Sequence, residues 1–189
     1  MQAYEYEKKL LKLLQWQRNG KFWVLKSPHH LQYLHQFSNV LPNSRILWMH
    51  RDIRDCIPSY LSMLYYSRNM FVCDMDKDVL KFHWLKKLSL MLQGGITYRN
   101  SNPERIVDVQ YDEFMLREDH MIAEILGAFL GDKFQSFEAT EENNNYSSNH
   151  QYCMKDWDLK AESMDSMFSD YVQLFKSIND KRSEHEEAG

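Results

Sequence analysis

Two stretches about twenty residues apart, Trp23-Val-Leu-Lys-Ser-Pro-His-His30 and Ile46-Leu-Trp-Met-His-Arg-Asp-Ile-Arg-Asp-Cys-Ile-Pro-Ser59, each read as an apolar strand running into a helix start, with basic side chains at the junction. A helix start carries unpaired N–H groups and a partial positive charge, and ligands settle at the carboxyl ends of parallel strands. The chemistry suggested is therefore the holding of an anion. In the second junction Ile46 to Met49 reads as a buried strand. Asp52 and Asp55 resemble a capping box. Arg51 then stands at the strand end with a permanent planar donor fork suited to phosphate, and Ser59 lies two helical turns further on with a hydroxyl that can share the same group.

The elements that must position these residues follow from the apolar spacing. Tyr6, Leu10, Leu13 and Leu14 mark one stripe of a helix over residues 3–18, ended by Asn19-Gly20. Phe22 to Leu25 is expected to be a short strand. Ser27 as N-cap and Pro28 at the first helical position open a helix to Asn39, and Leu41-Pro-Asn-Ser turns the chain into a strand over 45–50. That is a β-α-β unit, expected to be parallel and right-handed. Ile57, Leu61 and Leu64 line the next helix. Val79, Phe82, Leu85 or Trp84, Leu88 and Leu92 line a longer one ending at Gly94-Gly95. A strand Arg105 to Val109, a helix with Met121, Ile122, Ile125, Leu126, Phe129 and Leu130, a Glu- and Asn-rich loop Glu138 to Asn149, and a last helix from Met164 to Ile178 complete the pattern.

These residues carry a resemblance. Leu25-Lys-Ser-Pro-His-His-Leu31, Leu41-Pro-Asn-Ser-Arg-Ile46, His50-Arg-Asp52 and Pro58-Ser-Tyr-Leu-Ser62 resemble, in order and spacing, the PAPS-dependent sulfotransferase family. Arg105-Ile-Val-Asp-Val-Gln-Tyr111, the helix ending Ala128-Phe-Leu-Gly131, and His150-Gln-Tyr152 through Trp157-Asp-Leu159 extend the likeness from about residue 5 to residue 178. The resemblance implies a three-layer, P-loop-like α/β fold with a short parallel sheet flanked by helices. It also implies that Arg51 and Ser59 bind the 3'-phosphate of 3'-phosphoadenosine 5'-phosphosulfate (PAPS), with Lys26 near the transferred sulfuryl group. A histidine of the first junction is then the base. His30, directly before Leu31, matches the family's position, and His29 is the alternative. Such a base suits sulfuryl transfer, because the acceptor must lose its proton as it attacks sulfur and imidazole titrates near neutral pH.

The pattern departs from the family at its front. Members open with a strand and a Gly- or Ser/Thr-rich loop around the 5'-phosphosulfate, whereas residues 3–18 read as a helix and no Gly-x-x-x-x-Gly-Lys run occurs. An N-terminally truncated fold is therefore expected, and the missing strand would leave a sheet edge for a second copy or a partner chain to cover. Ile53 stands where the family usually has Pro, a preorganising but dispensable residue. Two function classes follow. One is an enzyme moving a sulfuryl group to a hydroxyl or amine of a small molecule, lipid or carbohydrate. The other is a noncatalytic remnant or protein-interaction module. The acceptor walls are expected in residues 65–84 and 138–152.

Composition bounds the rest. The 189 residues, 43% hydrophobic, can bury one sizeable core, so a single domain over 1–178 with a flexible acidic tail over 179–189 is expected. Residues 1–60 hold nine Lys/Arg against four Asp/Glu, and the remainder 14 against 23. This is a poor surface for nucleic acid and a better one for a small anion in the N-terminal half. No run approaches the roughly 20 apolar residues of a membrane span, and the N-terminus has no secretory pattern. The three widely spaced cysteines suggest neither disulfide framework nor zinc site, and fit a reducing, cytoplasmic setting. His29, His30 and His35 have no cysteine or carboxylate at ligand spacing, so no metal is expected. The absent Gly-Lys-Ser/Thr loop speaks against a nucleotide kinase.

Overall fold

The computed structural model describes residues 2–18, 20, 22–72, 74–116, 118–131 and 152–187. In chain order they form helix α1 (Gln2–Gln15), a 3-10 helix (Pro28–Tyr33), α2 (Leu34–Val40), strand β1 (Ile46–His50), α3 (Ile53–Asn69), α4 (Lys77–Ser101), β2 (Ile106–Gln110), α5 (Tyr111–Leu116), α6 (Glu118–Leu130), α7 (Ala161–Met167) and α8 (Ser169–Glu187). Short 3-10 turns cover Pro103–Arg105 and Met154–Trp157. The sheet is the parallel pair β1-β2, with helices around it. The chain divides into two compact units, residues 1–46 with 87–106, and residues 47–86 with 107–189.

The first unit packs α1, the 3-10 helix, α2 and the C-terminal half of α4. Leu34, Phe37, Val40, Met91 and Tyr98 are among its buried side chains. A buried hydroxyl pair is matched internally: Ser38 Oγ and Tyr98 OH are 2.5 Å apart. Lys8 caps the end of α2 by donating to the Val40 carbonyl at 2.8 Å. The face that α1 turns inward is not the expected stripe. Tyr6, Leu10, Leu13 and Leu14 are exposed, and Tyr4, on another face, sets its ring edge-on against Phe37 with centroids 5.4 Å apart. An apolar stripe identifies a helix but not what, if anything, covers it.

Residues 22–25 also differ from expectation. They make no strand, and Phe22, Trp23 and Val24 are exposed. A strand needs a neighbour for its hydrogen bonds, and among the described residues only β1 and β2 pair. The expected first β-α-β unit is thus a segment without regular structure, a 3-10 helix, α2 and β1, and β1 finds its parallel partner in β2. Ser27 does cap the 3-10 helix, accepting the His29 N–H at 3.4 Å.

Helix α4 does not stop at Gly94-Gly95 but continues to Ser101, and its buried residues are Leu80, Trp84, Leu85, Met91 and Tyr98. Val79 and Phe82, assigned to its apolar face from the pattern, are 65% and 72% exposed. The reason Gly94 is there is tertiary. A Cβ at that position would stand 2.8 Å from the Gln32 carbonyl oxygen and 3.0 Å from Gln32 Cα, so glycine is what lets the helix touch the 3-10 backbone.

The second unit holds most of the sheet. Val109 of β2 packs with Met121 and Ile125 of α6, joined by Met49, Val107, Phe114 and Phe129. Leu61 of α3 is fully buried, with Ile53, Ile57 and Pro58 on the same helix. The last expected helix is two: Phe168, with φ −115° and ψ 27°, separates α7 from α8. Met164, Phe168 and Tyr171 are buried, Met167 is exposed, and α8 stays helical to Glu187. The Glu- and Asn-rich loop 138–149 lies outside the described residues. No helix among the described residues is long and apolar enough to cross a membrane.

Candidate functional site

The second junction is built as an anchored corner. Asp52 is the N-cap of α3, and its carboxylate accepts the Arg54 N–H at 2.8 Å. The Asp55 and Cys56 N–H groups go to the Asp52 carbonyl. The helix start is therefore capped from within rather than left open for an anion, and Asp55 does something other than the expected reciprocal cap. Its carboxylate lies 3.6 Å from the Arg51 guanidinium. What the corner offers a ligand comes from side chains: Arg51 just before the helix and Ser59, half-buried, within it.

Arg51 is held from two sides. Its guanidinium sits over the Tyr111 ring, 4.6 Å from the centroid, with the side chain 40% exposed. Its backbone N–H donates to the Tyr171 hydroxyl at 3.3 Å, and that hydroxyl donates to the Arg51 carbonyl at 3.2 Å. Burial pushes the Tyr171 hydroxyl well above the ordinary tyrosine range, so it stays neutral and able to both give and accept. Beside it, His50 is fully buried, its Nε2 2.9 Å from Asp108 Oδ1 and its ring stacked on Tyr171 with centroids 5.8 Å apart. The Arg51 Nε is buried and has no protein partner. A phosphate arriving at the exposed edge of the guanidinium would meet a planar cation whose backbone is already fixed.

Further along α3, Trp157 Nε1 donates to Ser62 Oγ at 2.8 Å, the Tyr65 ring stands edge-on to the indole at 5.9 Å, and the Lys77 ammonium lies over it at 4.6 Å. Arg54 holds Asp165 of α7 with a fork, 3.3 Å at Nε and 2.6 Å at the terminal nitrogen. These contacts fix α3, and with it Ser59, at both ends.

Cys56 lies in the first turn of the same helix. Burial pushes its thiol up to about 11, the Arg51 charge offsetting only part of the cost. The thiolate is then scarce at neutral pH. Iodoacetamide at pH 8 should label the exposed Cys153 well before Cys56, read by mass spectrometry of tryptic peptides. Equal rates at the two sites would contradict this burial.

The first junction is described within the other unit. Lys26 and His29 are exposed, and His30 is half-buried. The His30 ring is enclosed by Phe37 and Tyr4, with centroids at 5.1 and 5.7 Å, and its Nδ1 is 3.2 Å from the Tyr4 hydroxyl. The Tyr4 hydroxyl thus stands at the Nδ1 side of the His30 ring. Arg51 immediately precedes α3 and Ser59 lies within it, while Lys26 precedes the 3-10 helix that carries His29 and His30. Tyr4, Tyr111 and Tyr171 were not assigned to the site from sequence. Tyr111 had a signal, since it follows β2 directly as Arg51 follows β1, and neighbouring parallel strands bring such positions together. Tyr171 had none, being 120 residues from its partner.

These elements define a mostly helical α/β fold with a two-stranded parallel sheet. The chain superposes on the crystal structure of the sulfotransferase STF9 from Mycobacterium avium with a TM-score of 0.73, at 20% sequence identity, covering 90% of this chain and 46% of that one. The model of the sulfotransferase family matches residues 1–136, and the chain belongs to this family. It spans about half the length of the STF9 chain. No curated protein sequence matches it.

Proposed function

We propose that the chain binds PAPS through Arg51 and Ser59 and serves transfer of its sulfuryl group to an acceptor hydroxyl or amine. The donor set fits a phosphate dianion: a permanent planar cation, a hydroxyl within the adjoining helix, and a backbone locked at Arg51. That anchored guanidinium at the carboxyl end of β1 is the observation that carries the reading.

The remaining steps fall to the first junction. His30 takes the acceptor's proton at Nε2 while its Nδ1–H donates to the Tyr4 hydroxyl, which fixes both the tautomer and the ring plane. His29 is the alternative base. The freed acceptor oxygen or nitrogen bonds to sulfur as the bond from sulfur to the bridging phosphate oxygen breaks. Lys26 meets the charge that grows on the departing adenosine 3',5'-bisphosphate. The acceptor is a small molecule, lipid or carbohydrate, and the free thiols suit a reducing, cytoplasmic setting.

A second reading, a noncatalytic sulfotransferase-like module that engages a partner chain, is favoured by the exposed apolar stripe of α1, where Tyr6, Leu13 and Leu14 face solvent. Calorimetry of the purified chain with adenosine 3',5'-bisphosphate and with adenosine 5'-monophosphate tests the first reading against the second. Tighter binding of the bisphosphate is expected. Equal or absent heats would remove the 3'-phosphate site.

A further inference from the structure

We infer that Tyr171 is a positioning residue for Arg51, an inference that rests on the phosphate-binding reading above. A residue between a strand and a helix has both backbone polar groups outside the regular ladders, and here one hydroxyl from α8 satisfies both, at 3.3 Å to the Arg51 N–H and 3.2 Å to its carbonyl. The hydroxyl is held in turn. The Tyr171 ring is buried and lies between the His50 ring, 5.8 Å away and inclined 22°, and Phe175, 6.2 Å away and inclined 23°. His50 is pinned by Asp108 of β2 at 2.9 Å. The chain from Asp108 through His50 to Tyr171 thus links both strands and the last helix to the one backbone segment that aims the guanidinium.

The link accounts for a buried tyrosine hydroxyl spent on a junction rather than on a helix or sheet. With phenylalanine in its place the ring packing survives, but the Arg51 N–H and carbonyl lose their partner and the strand end can rotate. Arg51 then keeps its charge and loses its aim.

The test measures the dissociation constant of adenosine 3',5'-bisphosphate for the full chain, Tyr171→Phe, Arg51→Lys and the double variant. Tyr171→Phe should weaken binding about tenfold in the native background, the loss expected for two neutral hydrogen bonds. In the Arg51→Lys background, where the planar fork is already gone, it should weaken binding less than about twofold. Unchanged affinity of Tyr171→Phe overturns the inference, and so does an equal loss in both backgrounds, which marks a general structural role. Failure of the unsubstituted chain to bind the bisphosphate overturns the phosphate reading itself, before any substitution is compared. Hydrogen exchange in the unsubstituted chain gives a second, variant-free measurement: the Arg51 amide should exchange about a hundredfold slower than an open one. Exchange at the open rate would break the proposed bond.

Discussion

Arg51→Ala should weaken binding of adenosine 3',5'-bisphosphate about thirtyfold while leaving the melting temperature nearly unchanged. A charge-assisted contact to phosphate contributes about 2 kcal/mol, which is roughly that factor in affinity. The fold depends on it little. The side chain is 40% exposed, its ion pair with Asp55 is 3.6 Å long and open to solvent, and the Tyr111 contact contributes about 0.5 kcal/mol at such a site. Arg51→Lys should fall between, because the charge remains but the fork and the stacking on Tyr111 are lost. Raising the salt concentration should reduce the difference between native chain and Arg51→Ala, since the contact is partly screened. Calorimetry across the three chains decides the matter: an Arg51→Ala chain that is folded and binds undiminished would detach this residue from the ligand.

Gly94→Ala should destabilise the chain by about 1–3 kcal/mol, against the usual sign for such a change. Inside a helix, glycine to alanine ordinarily stabilises by about 1 kcal/mol. Here the new methyl would meet the Gln32 carbonyl oxygen at 2.8 Å, its Cα at 3.0 Å and its carbonyl carbon at 3.2 Å. All three are backbone atoms, which no rotamer change can move aside. Either α4 or the 3-10 helix must shift, and the latter carries His29 and His30. The melting temperature should drop by several degrees, at about 2–4 °C per kcal/mol for a chain of this size. Gly127→Ala in α6 is the internal control, because nothing lies within 4 Å of its added carbon. It should raise stability by about 0.5–1 kcal/mol. Urea melts of the two variants that both shift upward would show that the close approach at Gly94 is not a constraint.

The two glycines illustrate what could be read from the chain and what could not. Gly94-Gly95 reads as a helix end, since glycine is a poor helix former and a common stop. The helix runs on because Gly94 is needed for a contact with Gln32, distant in sequence, and packing outweighs a propensity of that size. The apolar stripe of α1 and the positions Val79 and Phe82 failed for a related reason. Periodicity within one segment establishes that it is a helix, but the identity of the covering surface depends on the rest of the chain. Phe22 to Leu25 has strand-like residues and, among the described residues, no strand to pair with. The break at Phe168 is likewise invisible in a spacing that stays apolar on both sides of it.

The sequence by itself determined the family, β1, the cap at Asp52 and the basic residues of the two junctions, because strand patterns, caps and turns depend on neighbours within about four residues. The tertiary structure decided how Arg51 is held and that His30 stands against Tyr4 and Phe37. Those outcomes come from Tyr171, Tyr111 and Tyr4, from the pairing of His50 with Asp108, and from the approach of α4 to Gln32. Each joins residues far apart along the chain, so their meeting depends on packing that no local window of sequence contains.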